Sequence, residues 1–188
     1  MINTKVVAIS GTSGAGKTTM VKALANEFDC PFLIFDDHTN HTTYPSNMKS
    51  WLQNGANVSL IKTPKFVTSL QGLISKNNSR FIFIEEPFGK ERDVMSSLVD
   101  YVVLLGPPLE LCLARIIKRH TEQPSSESIY FIANYLDKYE DHIRDSYLSA
   151  VKQVRNNSDL IINEVVSIKE TTNYISNWLK NNTNQHVI

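Results

Sequence analysis

Five short apolar runs punctuate the chain, at residues 5–9, 32–35, 81–85, 101–105 and 159–163, with longer segments of helical spacing between them. Runs this short and this continuously apolar suit strands covered on both faces, and their alternation with helices predicts a parallel sheet wrapped by helices. Helices are expected over about 17–28, 46–54, 65–76, 91–98, 108–120, 127–154 and 167–181. In the first of these, Met20, Val21, Leu24, Ala25 and Phe28 recur on one face. Pro64 is placed for the first turn of a helix, Pro107 and Pro108 separate "YVVLL" from the helix that follows, and Asn156-Asn157-Ser158 makes a turn before "DLIIN". At 188 residues the chain has the size of one α/β domain, spanning 1–188. The expected fold has three layers, a five-stranded parallel sheet with helices on both faces.

In open sheets of this kind ligands sit beyond the carboxyl ends of the strands, so the residues just after each run carry the chemistry. After the first run comes "GTSGAGKT", residues 11–18, a complete G-x-x-x-x-G-K-[ST] with Gly11, Gly16, Lys17 and Thr18 in order and Gly14 between them. Placed between a buried strand and a helix N-terminus, this spacing is a P-loop, and the fold becomes that of a P-loop NTPase. Backbone N–H groups from Ser13 through Gly14, Ala15, Gly16 and Lys17 to Thr18 would surround a β-phosphate. Lys17 would reach the β and γ oxygens, and the Thr18 hydroxyl would bind Mg²⁺. Thr19 belongs to the same nucleotide-binding stretch, or is simply a helix-surface residue.

The later strand ends add Asp36-Asp37 after "FLIF" and Glu85-Glu86 after "FIFI". Four carboxylates and a phosphate cradle on one edge suit a magnesium nucleotide, because Mg²⁺ takes oxygen ligands and keeps several waters. Asp36 is the candidate to accept the proton of an alcohol during phosphoryl transfer, with the sequence leaving the choice between it and Asp37 open. Asp37 either contacts a Mg²⁺-bound water or caps a turn; either Glu85 or Glu86 completes the metal shell. His38 and His41 read as loop histidines rather than a metal pair. In "LCLARIIKRH", Arg115 and Arg119 lie four apart on one helix face, either as a phosphate clamp in a short lid over residues 112–127 or as a solvated basic helix end. The "TEQPSS" stretch supplies the turn chemistry of that lid. Tyr44, Trp51 and Phe66 either stack on a base or serve the core.

Charge narrows the partners. Lys plus Arg and Asp plus Glu are 19 each, so no net basic field draws the chain to nucleic acid or an anionic membrane. Cys30 and Cys112 lack metal or redox spacing, and neither a bilayer-length apolar run nor a secretory leader is present. A cytoplasmic protein is expected, with a polar tail from Asn181 to Gln185 that frays. Oligomeric state has no sequence signal.

Taken together, "GTSGAGKTT", "FDDH", "FIFIEEPFG", "LARIIKRH" and "YLDKYEDHIRDSYL" before "SDLIIN" resemble the uridine kinase and nicotinamide riboside kinase group of P-loop small-molecule kinases. The resemblance implies ATP and Mg²⁺ as cofactors and a small-molecule acceptor, with the Asp at position 36 as base and the lid arginines at 115 and 119 on phosphate. It departs where Ile116 and His120 replace a second Arg and a final Asp of the family's lid, and where His38 replaces an aromatic residue. A nucleotide kinase would need more arginines near its acceptor, and only Arg80 lies between Asp36 and Ile84. The D-x-x-G and N-K-x-D signatures of a GTPase are missing from their expected places, whereas an ATP-driven assembly factor shares the P-loop.

Overall fold

Alternation of side chains along a strand divides each buried run between two faces, and the structure shows both faces covered. The computed structural model describes residues 3–76, 78–122 and 125–183. Five strands, β1 (Lys5–Ser10), β2 (Phe32–Leu33), β3 (Phe81–Glu85), β4 (Tyr101–Leu105) and β5 (Leu160–Ile162), form one sheet in the order β2-β3-β1-β4-β5. Every pairing is parallel, with Val7 opposite Phe83 on one side and Tyr101 on the other. The P-loop thus leaves the central strand.

Eight α-helices occur among the described residues: α1 (Lys17–Phe28), α2 (Met48–Gln53), α3 (Pro64–Lys76), α4 (Asp93–Ser96), α5 (Leu109–Thr121), α6 (Ser126–Lys138), α7 (Arg144–Asn156) and α8 (Ile168–Thr183). Val7, Ile9 and Phe83 face the layer of α1, α5 and α8, where Leu24, Cys112 and Leu179 meet them. Val6, Ala8 and Ile84 face α3, α4 and α7 through Leu70, Met95 and Val154. Most of these side chains are fully buried, and burial of each larger one contributes about 1.5–3 kcal/mol. A third apolar cluster, built on Phe35, Trp51, Ile61 and Phe88, lies beyond the sheet under the carboxyl strand ends.

Three elements differ from the expected pattern. The run 32–35 pairs only through Phe32 and Leu33; Ile34 and Phe35 leave the sheet and are buried against the helical layers, so their apolarity serves packing rather than pairing. The segment 91–98 forms only the short α4, because Arg92 before it is extended and fully buried. The expected helix 127–154 is two α-helices joined by one π turn at Tyr139–Ile143. A wider turn shifts the helical register, so α6 and α7 present independent faces. At the other end Asn181, Asn182 and Thr183 continue α8, with Asn182 and Thr183 bonded back to the Trp178 and Leu179 carbonyls. Gln123 and Pro124 of the lid turn, and Asn184 and Gln185 of the tail, lie outside the described residues. Among the described residues no helix is long and apolar enough to cross a membrane.

Candidate functional site

The segment after β1 is shaped by contacts that tolerate no side chain. A Cβ on Gly11 would stand 2.4 Å from the Leu105 carbonyl oxygen, and one on Gly14, which has φ +79°, would stand 2.3 Å from the Cys112 carbonyl oxygen. The loop therefore lies directly on β4 and α5. Within it the Ala15 N–H donates to the Thr12 carbonyl at 3.2 Å. Gly16 caps α1 in the left-handed region with no side-chain acceptor, leaving the first-turn N–H groups of the helix directed outward. Such an end attracts an anion.

A cleft of about 250 Å³ opens over this end, floored by Ser13, Gly14, Gly16, Lys17, Thr18 and Thr19 and bounded by Asp36, Glu85, Arg115 and Arg119. Lys17 is buried; its ammonium donates to the Thr12 carbonyl at 2.9 Å and lies 3.5 Å from Glu85. Burial pushes its pKa down, and Glu85 and Asp36 oppose that shift. The Thr18 hydroxyl donates to the other Glu85 oxygen at 2.8 Å. Thr18 and Glu85 are thus the hydroxyl and carboxylate a Mg²⁺ ion shared with phosphate would use. Among the described residues no three His, Cys, Asp or Glu side chains converge, and a site completed by phosphate oxygens and waters does not require it.

Glu86 is committed elsewhere. It is fully buried and grips Arg92, with 2.5 Å from Nη2 to Oε2 and 3.1 Å from Nε to Oε1. The remaining Arg92 nitrogen donates to the Ile61 carbonyl and the Thr63 hydroxyl. Burial raises the Glu86 pKa, and Arg92 pulls it back. Of the two glutamates, Glu85 is the one in the phosphate-end cleft.

Asp36 and Asp37 open a single 3₁₀ turn that follows β2, and both are exposed. Asp36 borders the phosphate-end cleft and also a deeper cavity of about 200 Å³ that reaches Gly11, Thr12, Ser13 and Lys17. Asp37 borders neither. The far walls of that cavity come from α2, the loops before α3 and after β3, and α7: Met48 and Trp51, Ile61, Pro87 and Phe88, and Tyr147 with Ala150 and Val151. Tyr44 borders the cavity as well, whereas Phe66 is a core residue packed edge-on against Phe35 and His38. His38 bonds the Ile34 carbonyl through Nδ1, a local turn contact.

The helix α5 borders the phosphate end. Arg115 donates to the Gly14 carbonyl at 3.2 Å, and Arg119 borders the same cleft. Ile116 is buried, and the His120 ring stacks on Phe131 with centroids 3.9 Å apart, so both side chains serve helix packing. A further cleft of about 260 Å³ shares Gly16, Thr19 and Arg115 with the phosphate end and runs between Pro107 and the segment Val165–Val166 after β5. Sequence reasoning missed Arg92, Tyr147 and most of the cavity wall. Tyr147 joins α7 to Tyr135 of α6 by a 3.1 Å hydroxyl contact and also meets the Ser13 side chain.

The model of the AAA family, ATPase family associated with various cellular activities, matches residues 7–87, from within β1 to just past β3. No curated protein matches the sequence. Among solved structures the chain is similar to shikimate kinase from Acinetobacter baumannii in complex with shikimate, at 18% identity and TM-score 0.52 over 96% of each chain. It is also similar to an uncharacterized protein from Eubacterium ventriosum, at 12% identity and TM-score 0.54 over 94% of this chain and 98% of that one. Deoxyadenosine kinase from M. mycoides with bound dCTP aligns at 16% identity and TM-score 0.50 over 94% and 99% of the two chains. At these identities the likeness speaks for the fold, which with its β2-β3-β1-β4-β5 sheet and intact loop is that of a P-loop NTPase.

Proposed function

We propose that this chain is a kinase that transfers a phosphoryl group from ATP to a hydroxyl of a small molecule. One observation carries the reading: Asp36 stands at the junction of the phosphate-end cleft and the deeper cavity. A carboxylate there can take the proton of an alcohol held in the cavity as its oxygen approaches phosphate. Bound Mg·ATP supplies the transferable phosphoryl group and the cation that offsets its charge.

The residues present fit that cofactor. The P-loop backbone and the uncapped end of α1 hold the phosphates, and Lys17 directs its ammonium toward their oxygens. Thr18 and Glu85 hold the metal, directly or through its waters. Arg115 and Arg119, on α5 within the short lid segment over residues 112–127, add positive charge where it offsets the transferring group. The cleft between Pro107 and Val165–Val166 receives the nucleotide base. Asp37 retains a turn role. A nucleoside, the acceptor implied by the uridine kinase resemblance, is one member of the alcohol class. The whole chain works as one unit, and its two free cysteines suit a cytoplasmic setting.

The AAA match favours a second reading, an ATPase whose hydrolysis drives an assembly step. That match covers the phosphate-binding part of the chain, which both readings share. Acceptor-dependent ADP release with a phosphorylated product establishes the kinase. A constant ATPase rate, indifferent to every alcohol in a metabolite panel and without such a product, establishes the alternative.

A further inference from the structure

The deeper cavity has two ends of different chemistry. At one end stand Lys17, Asp36 and the Ser13, Tyr44 and Tyr147 hydroxyls. Its body is walled by Met48, Trp51, Ile61, Phe88 and Val151, of which Trp51, Ile61 and Phe88 are buried members of one apolar cluster. The single polar atom among these five side chains, the Trp51 indole N–H, is spent on the Asn57 carbonyl at 2.8 Å. Ser146, on the same wall, turns its hydroxyl back to the His142 carbonyl at 2.8 Å.

Cations are as scarce as hydrogen-bonding groups. Among the described residues Lys17 is the one cationic side chain that borders the cavity, and it serves the phosphate end. Lys49 and Lys138 border a separate, adjoining cleft rather than this cavity, and Arg92 lies behind the wall at Ile61. Its guanidinium is saturated by Glu86, the Ile61 carbonyl and Thr63, and it has no exposed surface. A carboxylate or phosphate on the far part of an acceptor would be desolvated there with no partner. A nucleobase, with donors and acceptors along its edge, would leave those groups facing apolar side chains.

We propose that the acceptor is an uncharged alcohol whose body is apolar, an aryl or alkyl alcohol, with its hydroxyl at Asp36 and the remainder against Trp51 and Phe88. The proposal rests on the cavity being the acceptor site of the kinase. In the transfer, the alcohol oxygen forms a bond to the γ-phosphorus, the bond from that phosphorus to the bridging oxygen of ATP breaks, and the alcohol proton passes to the Asp36 carboxylate. The products are a phosphate monoester and ADP.

The test separates binding from turnover. With Trp178→Phe, Trp51 becomes the sole indole, and its fluorescence reports occupancy of the cavity whether or not chemistry follows. Three probes are titrated: 4-methylbenzyl alcohol, its charged counterpart 4-(hydroxymethyl)benzoate, and uridine. We expect the neutral alcohol to saturate the signal at concentrations about tenfold or more below those needed for the other two, the scale of one buried unpaired polar group. Met48→Arg, which puts a guanidinium at a half-buried wall position, should shift preference toward the benzoate. Equal or tighter binding of uridine or the benzoate by the unaltered wall overturns the proposal, as does the lack of saturable quenching by all three. Tight binding of the neutral alcohol, with no ADP release from it or from any alcohol of the metabolite panel, upholds the character of the cavity and overturns the kinase reading instead.

Discussion

Glu86 and Arg92 meet as a forked pair with no solvent exposure on either side chain, six residues apart and 2.5 Å at their closest approach. The pair ties the end of β3 to the chain leading into α4 and, through Ile61 and Thr63, to the segment before α3. Breaking one half leaves a buried charge without a partner, which costs about 3–5 kcal/mol. Arg92→Met should therefore lower the free energy of unfolding by that order in urea titration, and Glu86→Gln should also destabilise. The double variant Glu86→Leu with Arg92→Met should recover part of the loss. Wild-type stability in Arg92→Met would refute the structural assignment.

Lys17→Met tests the phosphate end. Turnover should fall by about 10²-fold or more, as when one preorganised stabilising group is removed. A second readout needs no substrate. Burial lowers the Lys17 pKa in the folded chain, so between that lowered value and 10.5 the unfolded chain holds the proton that the folded chain has lost. Stability from this residue rises with pH across that window. The difference in melting temperature between wild type and Lys17→Met should move in favour of wild type as pH increases toward 10.5; a difference independent of pH would contradict the burial.

For the lid, Arg115→Ala and Arg119→Ala should each reduce turnover while altering stability by no more than about 0.5 kcal/mol, the usual range for surface changes. Arg115→Ala also removes the contact to the Gly14 carbonyl, so its loss should exceed that of Arg119→Ala. Unchanged kinetics in both variants would return the arginines to a solvated helix face.

Asp36→Asn separates a proton acceptor from a metal contact. ATP affinity should stay near that of wild type, while acceptor-dependent turnover drops about 10²- to 10⁴-fold. Asp37→Asn, altering a side chain that borders neither cleft, should leave both quantities close to wild type. Full turnover in Asp36→Asn would remove the residue from the mechanism.

What was legible in the sequence was local. The P-loop is defined by spacing within eight residues, and the buried parallel strands carry their own signature because both faces are apolar. Asp36 and Glu85, which border the phosphate-end cleft, could be singled out because each stands at the end of such a run. Arg92 was not, since its partners at Ile61, Thr63 and Glu86 converge only after folding. The cavity wall escaped for the same reason: Met48, Phe88 and Val151 come from three distant stretches, none with a pattern of its own. The "FLIF" run misled in its second half because burial against helices and burial within a sheet look alike in an apolar string. The choice between Glu85 and Glu86 needed the position of Arg92.

The contact between Gly14 and Cys112 sets how the arginines of α5 can travel. Backbone rests on backbone there, so the helix cannot be lifted at Cys112 without unseating the phosphate loop beneath it. Any tilt of α5 would therefore pivot at Cys112. At a rise of about 1.5 Å per residue, Arg115 sits about 4.5 Å along the lever and Arg119 about 10.5 Å. A tilt of α5 about Cys112 would therefore sweep the Arg119 backbone more than twice as far as that of Arg115, with Arg115 the short-throw contact to the loop and Arg119 the long-throw arm.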